Sequence, residues 1–145
     1  MKVTTSIIIN KPVKEVWDFF DDPDNLKFWL RGFQKFEHLS GTRGEPGAKS
    51  KHSYEENGKI IEMIEEIVVR DKYKEFSGIL NHDIMTSNLS HKFEDLGNGT
   101  TRLDSTVETK FKPFMLKMLG PLMKGMLRRR QSADFKRFKE CVERN

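Results

Sequence analysis

The sequence predicts an α+β fold, in which an antiparallel sheet of about seven strands packs one face against a long C-terminal helix. Three observations support this prediction. The chain opens with a strand of alternating side chains, continues with two short helical segments, and then runs through turn-separated strands to a final helix. Because the apolar side of that helix must be buried, the sheet is the surface on which we expect it to pack.

The first strand covers residues 2–10, where β-branched side chains alternate with polar ones. After Pro12, which suits the first turn of a helix, apolar residues recur at helical spacing: Val13, Val16, Trp17 and Phe20. Asp22 and Pro23 repeat this pattern of a capping side chain and a proline ahead of Leu26, Trp29 and Leu30. Two short helices are therefore predicted between the first and second strands.

Further extended segments follow at residues 33–40, 49–55, 59–70, 73–80, 84–95 and 100–111. Asn57-Gly58 and Gly97-Asn98-Gly99 are typical of hairpin turns, because these residues tolerate a positive φ. The charges of segment 59–70 also fit one face of a helix. Its many β-branched residues and its hairpin neighbours favour a strand.

From Pro113 onward the apolar period becomes helical. One side carries Met115, Leu119, Leu122 and Met126, and the pattern continues through Leu127, Phe138 and Val142. Gly120-Pro121 should bend or restart this helix, because proline cannot donate to the preceding turn. We expect residues 1–145 to form a single domain, since their number suits one hydrophobic core.

The composition excludes several classes of protein. With 36% apolar and 33% charged residues, the chain has the composition of a soluble globular protein. Cys141 is the only cysteine, so an internal disulfide is excluded. Ile7-Ile8-Ile9 is too short for a signal peptide or a membrane span, and the predicted location is the cytoplasm.

Basic charge is concentrated at the end of the sequence. Residues 110–145 carry eleven Lys or Arg against three acidic side chains, whereas the rest of the chain is net acidic. The cluster Arg128, Arg129 and Arg130 could make a weak contact with anionic lipid headgroups, or it could simply be the solvated side of a helix. No aromatic side chains interleave with these arginines, so nucleic acid is not an expected partner.

Three segments resemble the START-like (SRPBCC) superfamily, which includes polyketide cyclases and dehydrases, birch-pollen-type allergens and lipid-transfer proteins. They are residues 9–17 with the following Asp22-Pro23 and Trp29, the glycine–threonine hairpin of residues 97–103, and the closing helix of residues 135–143. The resemblance implies a helix-grip fold, with a curved sheet around the last helix and an elongated cavity between them. It does not specify a ligand or a reaction.

We predict the lining of that cavity from the less charged register of each strand. The sheet positions are Phe36, Ser50, His52, Tyr54, Ile61, Met63, Phe76, Met85, Ser87, Leu89, His91, Leu103, Ser105 and Val107. The helix contributes Leu119, Met123 and Met126, and Trp29 is placed at the mouth.

Acid–base candidates on these faces are His52, Tyr54, Glu65 and His91, although the register of Glu65 is open between inward and outward. A lone inward histidine is more often a hydrogen-bonded structural residue than a catalyst. The four histidines show no metal-ligand spacing, so we expect no metal and no other cofactor.

The predicted function is therefore binding or carriage of a hydrophobic small molecule, lipid-like or aromatic, in the cavity. The alternative is a cofactor-free cyclase or dehydratase that uses the inward His, Tyr and Glu side chains. A protein-interaction module is a weaker alternative. The sequence leaves the ligand and the oligomeric state open.

Overall fold

The computed structural model of the chain describes residues 1–114 and 122–144. The strands in this part are β1 (Lys2–Ile9), β2 (Phe33–Ser40), β3 (Lys49–Glu56), β4 (Lys59–Asp71), β5 (Glu75–His82), β6 (Met85–Gly97) and β7 (Thr100–Phe111). The helices are α1 (Val13–Asp21), α2 (Leu26–Trp29) and α3 (Leu122–Arg144), with a 3-10 turn at Pro23–Asn25 between α1 and α2. No described helix is both long enough and apolar enough to cross a bilayer.

The strands form one antiparallel sheet in the order β1-β7-β6-β5-β4-β3-β2. This arrangement confirms the predicted α+β fold, with a curved sheet and a long helix after the last strand. Register shifts interrupt β2 near both ends, β4 between Ile67 and Val69, and β6 between Asp95 and Gly97. Such irregularities bend strands locally, which helps the sheet to curve around its contents.

Turn residues separate the strands largely where the sequence predicts. Asn57 and Gly58, between β3 and β4, have φ of 51° and 78°. The predicted start of β5 at residue 73 is wrong, because Tyr73 has φ of 71° and lies in the turn before the strand. Gly32 has φ of +76° and lies so close to β3 that an added Cβ would be 2.5 Å from the carbonyl oxygen of Glu55. Only glycine fits between α2 and β2 at this point.

The hydrophobic core lies where the helices meet the β1–β7–β6 side of the sheet. Trp17, Phe138 and Ile9 are completely buried there, and the cluster also includes Val16, Trp29, Phe93, Leu103, Phe135 and Val142. Aromatic rings meet edge to face, with 5.0 Å between the centroids of Trp17 and Phe93. Burying such rings supplies much of the stability that holds α1 and α3 on the sheet.

α3 uses its later turns for this packing, and its buried residues are Asp134, Phe135, Phe138 and Val142. The prediction that the stripe through Leu122 and Met126 packs on the sheet is wrong. Leu122 is 79% exposed and Met126 is 57% exposed. The other members of that stripe, Met115 and Leu119, and the predicted bend at Gly120-Pro121 lie outside the described residues.

Candidate ligand cavity

A cavity of about 670 Å³ lies between α3 and the inner face of the sheet, mainly over β3, β4, β5 and β6. This volume falls within the range of small-molecule sites in proteins. The cavity occupies the part of the inner face that the aromatic core does not cover. The fold therefore has a filled half, where α3 is anchored, and an open half, where α3 faces the sheet across empty space.

Strand register explains which side chains reach this space. Leu89 pairs with Val107, His52 with Met63 and Tyr54 with Ile61, so cross-strand neighbours point to the same face. Of the residues predicted to line a cavity, the structure places the following around it: Trp29, Phe36, Ser50, His52, Tyr54, Ile61, Met63, Phe76, Met85, Leu89, His91, Val107 and Met123. Glu65, whose register the sequence left open, also faces the cavity.

Several predicted lining residues lie elsewhere. Leu103 is buried in the aromatic core rather than beside the cavity. Ser87 and Ser105 are buried and hydrogen-bonded, Ser87 to the Thr109 hydroxyl at 2.8 Å and Ser105 to His91 at 2.9 Å. Met126 does not face the sheet, and Leu119 lies outside the described residues.

The position of Trp29 also differs from the prediction. It is only 5% exposed and packs against Phe135, with 5.3 Å between ring centroids, so it belongs to the inner wall and not to a mouth. Trp29, Phe20 and Phe135 lie at the boundary between the cavity and the aromatic core.

Other lining residues were not predicted from the sequence. The apolar ones are Phe20, Leu26, Leu30, Ile67, Leu80, Ile84, Phe111, Leu127 and Phe135. Strand alternation could have found Leu80 and Phe111, because they continue the inward registers of Phe76 and Val107. The helix residues could not be found this way, since their orientation depends on how α1, α2 and α3 pack.

A polar cluster interrupts the apolar wall on β3 and β4. The Ser50 hydroxyl lies 3.1 Å from His52 Nε2, and Glu65 Oε1 lies 3.7 Å from the same nitrogen. Ser50 and Glu65 are directly opposed in the β3–β4 ladder, which places Glu65 diagonally across from His52. The His52 and Glu65 side chains are only 5% and 12% exposed, so both groups are largely removed from water.

Burial changes the protonation of this cluster. Loss of hydration lowers the pKa of His52 to about 4 and raises the pKa of Glu65 to about 7. Burial, together with the Glu65 carboxylate, also raises the pKa of Tyr54 above its ordinary value. At neutral pH, His52 and Tyr54 are therefore uncharged and Glu65 is close to its midpoint, which is suitable for proton transfer.

His91 is held differently from His52. Its Nδ1 lies 2.9 Å from the Ser105 hydroxyl, and its ring packs 5.1 Å from that of Phe20, measured between centroids. Burial lowers the pKa of His91 to about 4, so the ring is neutral. These contacts are typical of a structural histidine that also contributes to the cavity wall.

Two ion pairs border the cavity. Arg70 on β4 donates to both carboxylate oxygens of Asp21 at the end of α1, at 2.9 and 2.6 Å. Arg130 on α3 pairs with Glu56 at the end of β3, and both residues line the cavity. In the described part of the chain, no three His, Cys, Asp or Glu side chains are grouped in a way that could hold a metal ion.

A curved seven-stranded sheet, a long terminal helix and an apolar cavity between them define a START-like, helix-grip protein. The sequence profile described as "Polyketide cyclase / dehydrase and lipid transport" matches residues 1–143, and the chain belongs to that family. No curated protein matches the sequence significantly.

Solved structures show the same fold at low sequence identity. Ara h 8.0201 is 18% identical, with a TM-score of 0.81 over 100% of this chain and 99% of its own. The Zhui aromatase/cyclase from a Streptomyces species is 14% identical, with a TM-score of 0.80 over 99% of this chain and 94% of its own. A START superfamily protein from Mycobacterium smegmatis is 13% identical, with a TM-score of 0.72 over 98% of this chain and 94% of its own.

Proposed function

We propose that the protein binds, and carries, an uncharged hydrophobic small molecule in the cavity between α3 and the sheet. The observation that best supports this proposal is the cavity itself, whose 670 Å³ is bordered by apolar side chains from both layers. When an apolar ligand covers apolar surface that faces open space, the free energy of the system falls. Members of this family typically bind hydrophobic ligands.

A titration with the uncharged fluorescent probe phenylnaphthylamine tests this proposal. We expect saturable binding with one molecule per chain, and a strong loss of affinity when Leu89→Trp and Val107→Trp are combined. These residues are cross-strand neighbours on β6 and β7 that both line the cavity, so two indoles there would occupy part of its volume. Equal probe binding by this variant and the wild type would contradict the proposal.

A matched control places the same side chains on the outer face of the sheet. Ile60 and Val68 on β4 are 62% and 47% exposed and do not line the cavity. Combining Ile60→Trp with Val68→Trp should leave probe affinity unchanged. If this variant lost binding as the cavity variant does, the loss would reflect general damage to the sheet.

Carriage requires contact with a donor surface, and we propose that the start of α3 provides it. Leu122 and Met126 are strongly exposed beside the exposed basic residues Arg128 and Arg129. Apolar and basic side chains next to each other favour anionic bilayers. Arg130 contributes less, because it pairs with Glu56. Charge reversal of Arg128 and Arg129 should reduce sedimentation with anionic vesicles, and unchanged sedimentation would remove membrane contact from the proposal.

Acid–base catalysis of the cyclase or dehydratase type is the second candidate function. It is favoured by the 3.7 Å distance between His52 and Glu65 in the cavity, where one group can hold a proton that the other releases. His52→Ala should then abolish turnover of an aromatic polyketide while phenylnaphthylamine still binds. Equal turnover by the variant and the wild type would exclude His52 from catalysis.

A further inference from the structure

Three polar side chains on the β3–β4 wall have hydrogen-bonding capacity that no described residue uses. His52 contacts Ser50 through Nε2, and its Nδ1 has no partner among residues 1–114 and 122–144. The Tyr54 hydroxyl and the Glu65 carboxyl likewise make no hydrogen bond within this part of the chain. All three side chains border the same cavity.

These groups border the open cavity, so without a ligand they face space that water can enter. An apolar ligand that displaced this water without replacing its hydrogen bonds would lose about 1–3 kcal/mol for each group. The cost is offset if a polar atom inside the cavity supplies the missing hydrogen bond. Ile61 and Met63, directly across from Tyr54 and His52, are apolar and cannot supply this hydrogen bond.

We infer that this β3–β4 wall anchors the oxygen of an otherwise apolar ligand, and that the ligand class is an uncharged apolar ketone whose oxygen is held by Glu65 and His52. The inference rests on the proposed function, because it places the ligand in the same cavity. It adds an orientation: the hydrocarbon part lies toward Leu89 and Val107, and the oxygen lies toward β3 and β4.

Protonation of Glu65 controls this anchor. Its pKa is raised to about 7 by burial, so below that pH the carboxyl group carries a proton and can donate to a ketone oxygen. Above it, a carboxylate cannot donate and repels the oxygen. His52 stays neutral, because burial lowers its pKa to about 4.

Other charged or titratable groups near Glu65 are already neutral or paired. On β3 they are His52 and Tyr54, both uncharged at neutral pH. On β5 the residue opposite Glu65 is Leu80, which cannot titrate. Across the cavity, α3 presents Arg130, paired with Glu56, and Asp134, paired with Arg137.

The cavity is also lined by three further histidines. His38 on β2 contacts the Gly41 carbonyl, His82 on β5 accepts from the backbone N–H of Ile84, and the pKa of His91 on β6 is lowered to about 4 by burial. Three cations complete the lining: Arg70 pairs with Asp21, Lys49 with Glu66, and Arg43 lies over the Phe36 ring. Glu65 is the carboxyl group of the β3–β4 wall whose pKa lies near 7.

A matched pair of rigid ligands, fluorenone and fluorene, tests the inference, since they share a ring system and differ by the ketone oxygen. Each is titrated against bound phenylnaphthylamine at about pH 6 and about pH 8. We expect fluorenone to bind about tenfold more tightly than fluorene at the lower pH, as one well-formed hydrogen bond would produce. This ratio should fall several-fold at the higher pH.

Variants locate the effect. Glu65→Met should lower the fluorenone-to-fluorene affinity ratio at about pH 6 and remove its pH dependence, because His52 alone remains to hold the oxygen. Glu65→Gln should keep a preference for fluorenone but lose its pH dependence, since an amide donates at every pH. Glu62→Gln is the control, because Glu62 is on the outer face of β4, where it pairs with Lys51 at 3.2 Å. That variant should keep both the ratio and its pH dependence.

The outcomes separate this inference from the proposed function. If both compounds bind with equal affinity at both pH values, the oxygen anchor is wrong and apolar binding stands. If neither displaces the probe and the probe itself does not saturate, the cavity is not a ligand site and both proposals fail. A pH-dependent ratio that Glu65→Gln does not alter would assign the dependence to another group and would overturn the role of Glu65.

Discussion

Glu65→Gln should stabilise the protein at neutral and basic pH but not in acid. The folded protein raises the pKa of Glu65 from 4.5 to about 7, so folding favours the protonated form. Below about pH 4.5 the carboxyl is protonated in both the folded and unfolded states, and folding has no ionisation cost. As the pH rises toward 7, the unfolded state ionises first, and the wild type loses stability. Above about pH 7 the loss is complete and constant.

The size of this loss follows from the two pKa values. Their difference corresponds to a free energy of about 3 kcal/mol, which is an upper value because water can enter the cavity and solvate the carboxylate. Glutamine has nearly the same shape and does not ionise. The unfolding free energy of Glu65→Gln relative to the wild type should therefore increase by as much as about 3 kcal/mol between acid and pH 8.

Urea unfolding followed by tryptophan fluorescence measures this difference, since Trp17 and Trp29 are both buried. Glu62→Gln is the appropriate control, because the Glu62 side chain is 53% exposed. Its stability relative to the wild type should vary little over the same pH range. If the stability difference between Glu65→Gln and the wild type were independent of pH, the burial and the raised pKa of Glu65 would be refuted.

Three further predictions concern the rest of the molecule. Phe138→Ala should lower the unfolding free energy by about 3–5 kcal/mol, because the ring is completely buried between helices and sheet; a loss below about 1 kcal/mol in urea would contradict the described core. Burial lowers the pKa of His91 to about 4, so the folded state resists its protonation and the wild type loses stability as the pH falls from 6.5 to about 4. His91→Gln should lose less stability over this range. An unchanged acid unfolding midpoint would argue against this. Asp21→Asn should cost about 1 kcal/mol in thermal or urea unfolding by weakening the two hydrogen bonds from Arg70, and no change would show that the pair is too solvated to contribute.

Much of the fold could be predicted because its signals are local. Alternation in β1 and β7 and the Asn57-Gly58 turn depend on neighbouring residues only, and each appears where expected. The side of α3 that packs could not be predicted, because its methionine and leucine stripe competes with a second apolar face through Phe135 and Phe138. The aromatic core selects that second face, and Met126 is left exposed.

The candidate site was partly accessible from sequence for the same reason. Inward positions such as Leu89 and Val107 follow from strand periodicity, and the structure places both at the cavity. The β3–β4 register that brings Glu65 near His52 follows from the two-residue turn at Asn57-Gly58, but the face of β4 that turns inward depends on packing against the helices. The role of Trp29 in the inner wall depends on how α2 packs against α3, a contact between segments about 100 residues apart.

A crystal structure of the protein grown with fluorenone tests the central claim most directly. The ligand should appear between α3 and the β3–β6 part of the sheet, with its rings against Leu89 and its oxygen toward Glu65. Ligand density confined to the outer surface, or a cavity closed by inward movement of α3 onto the strands, would contradict the account.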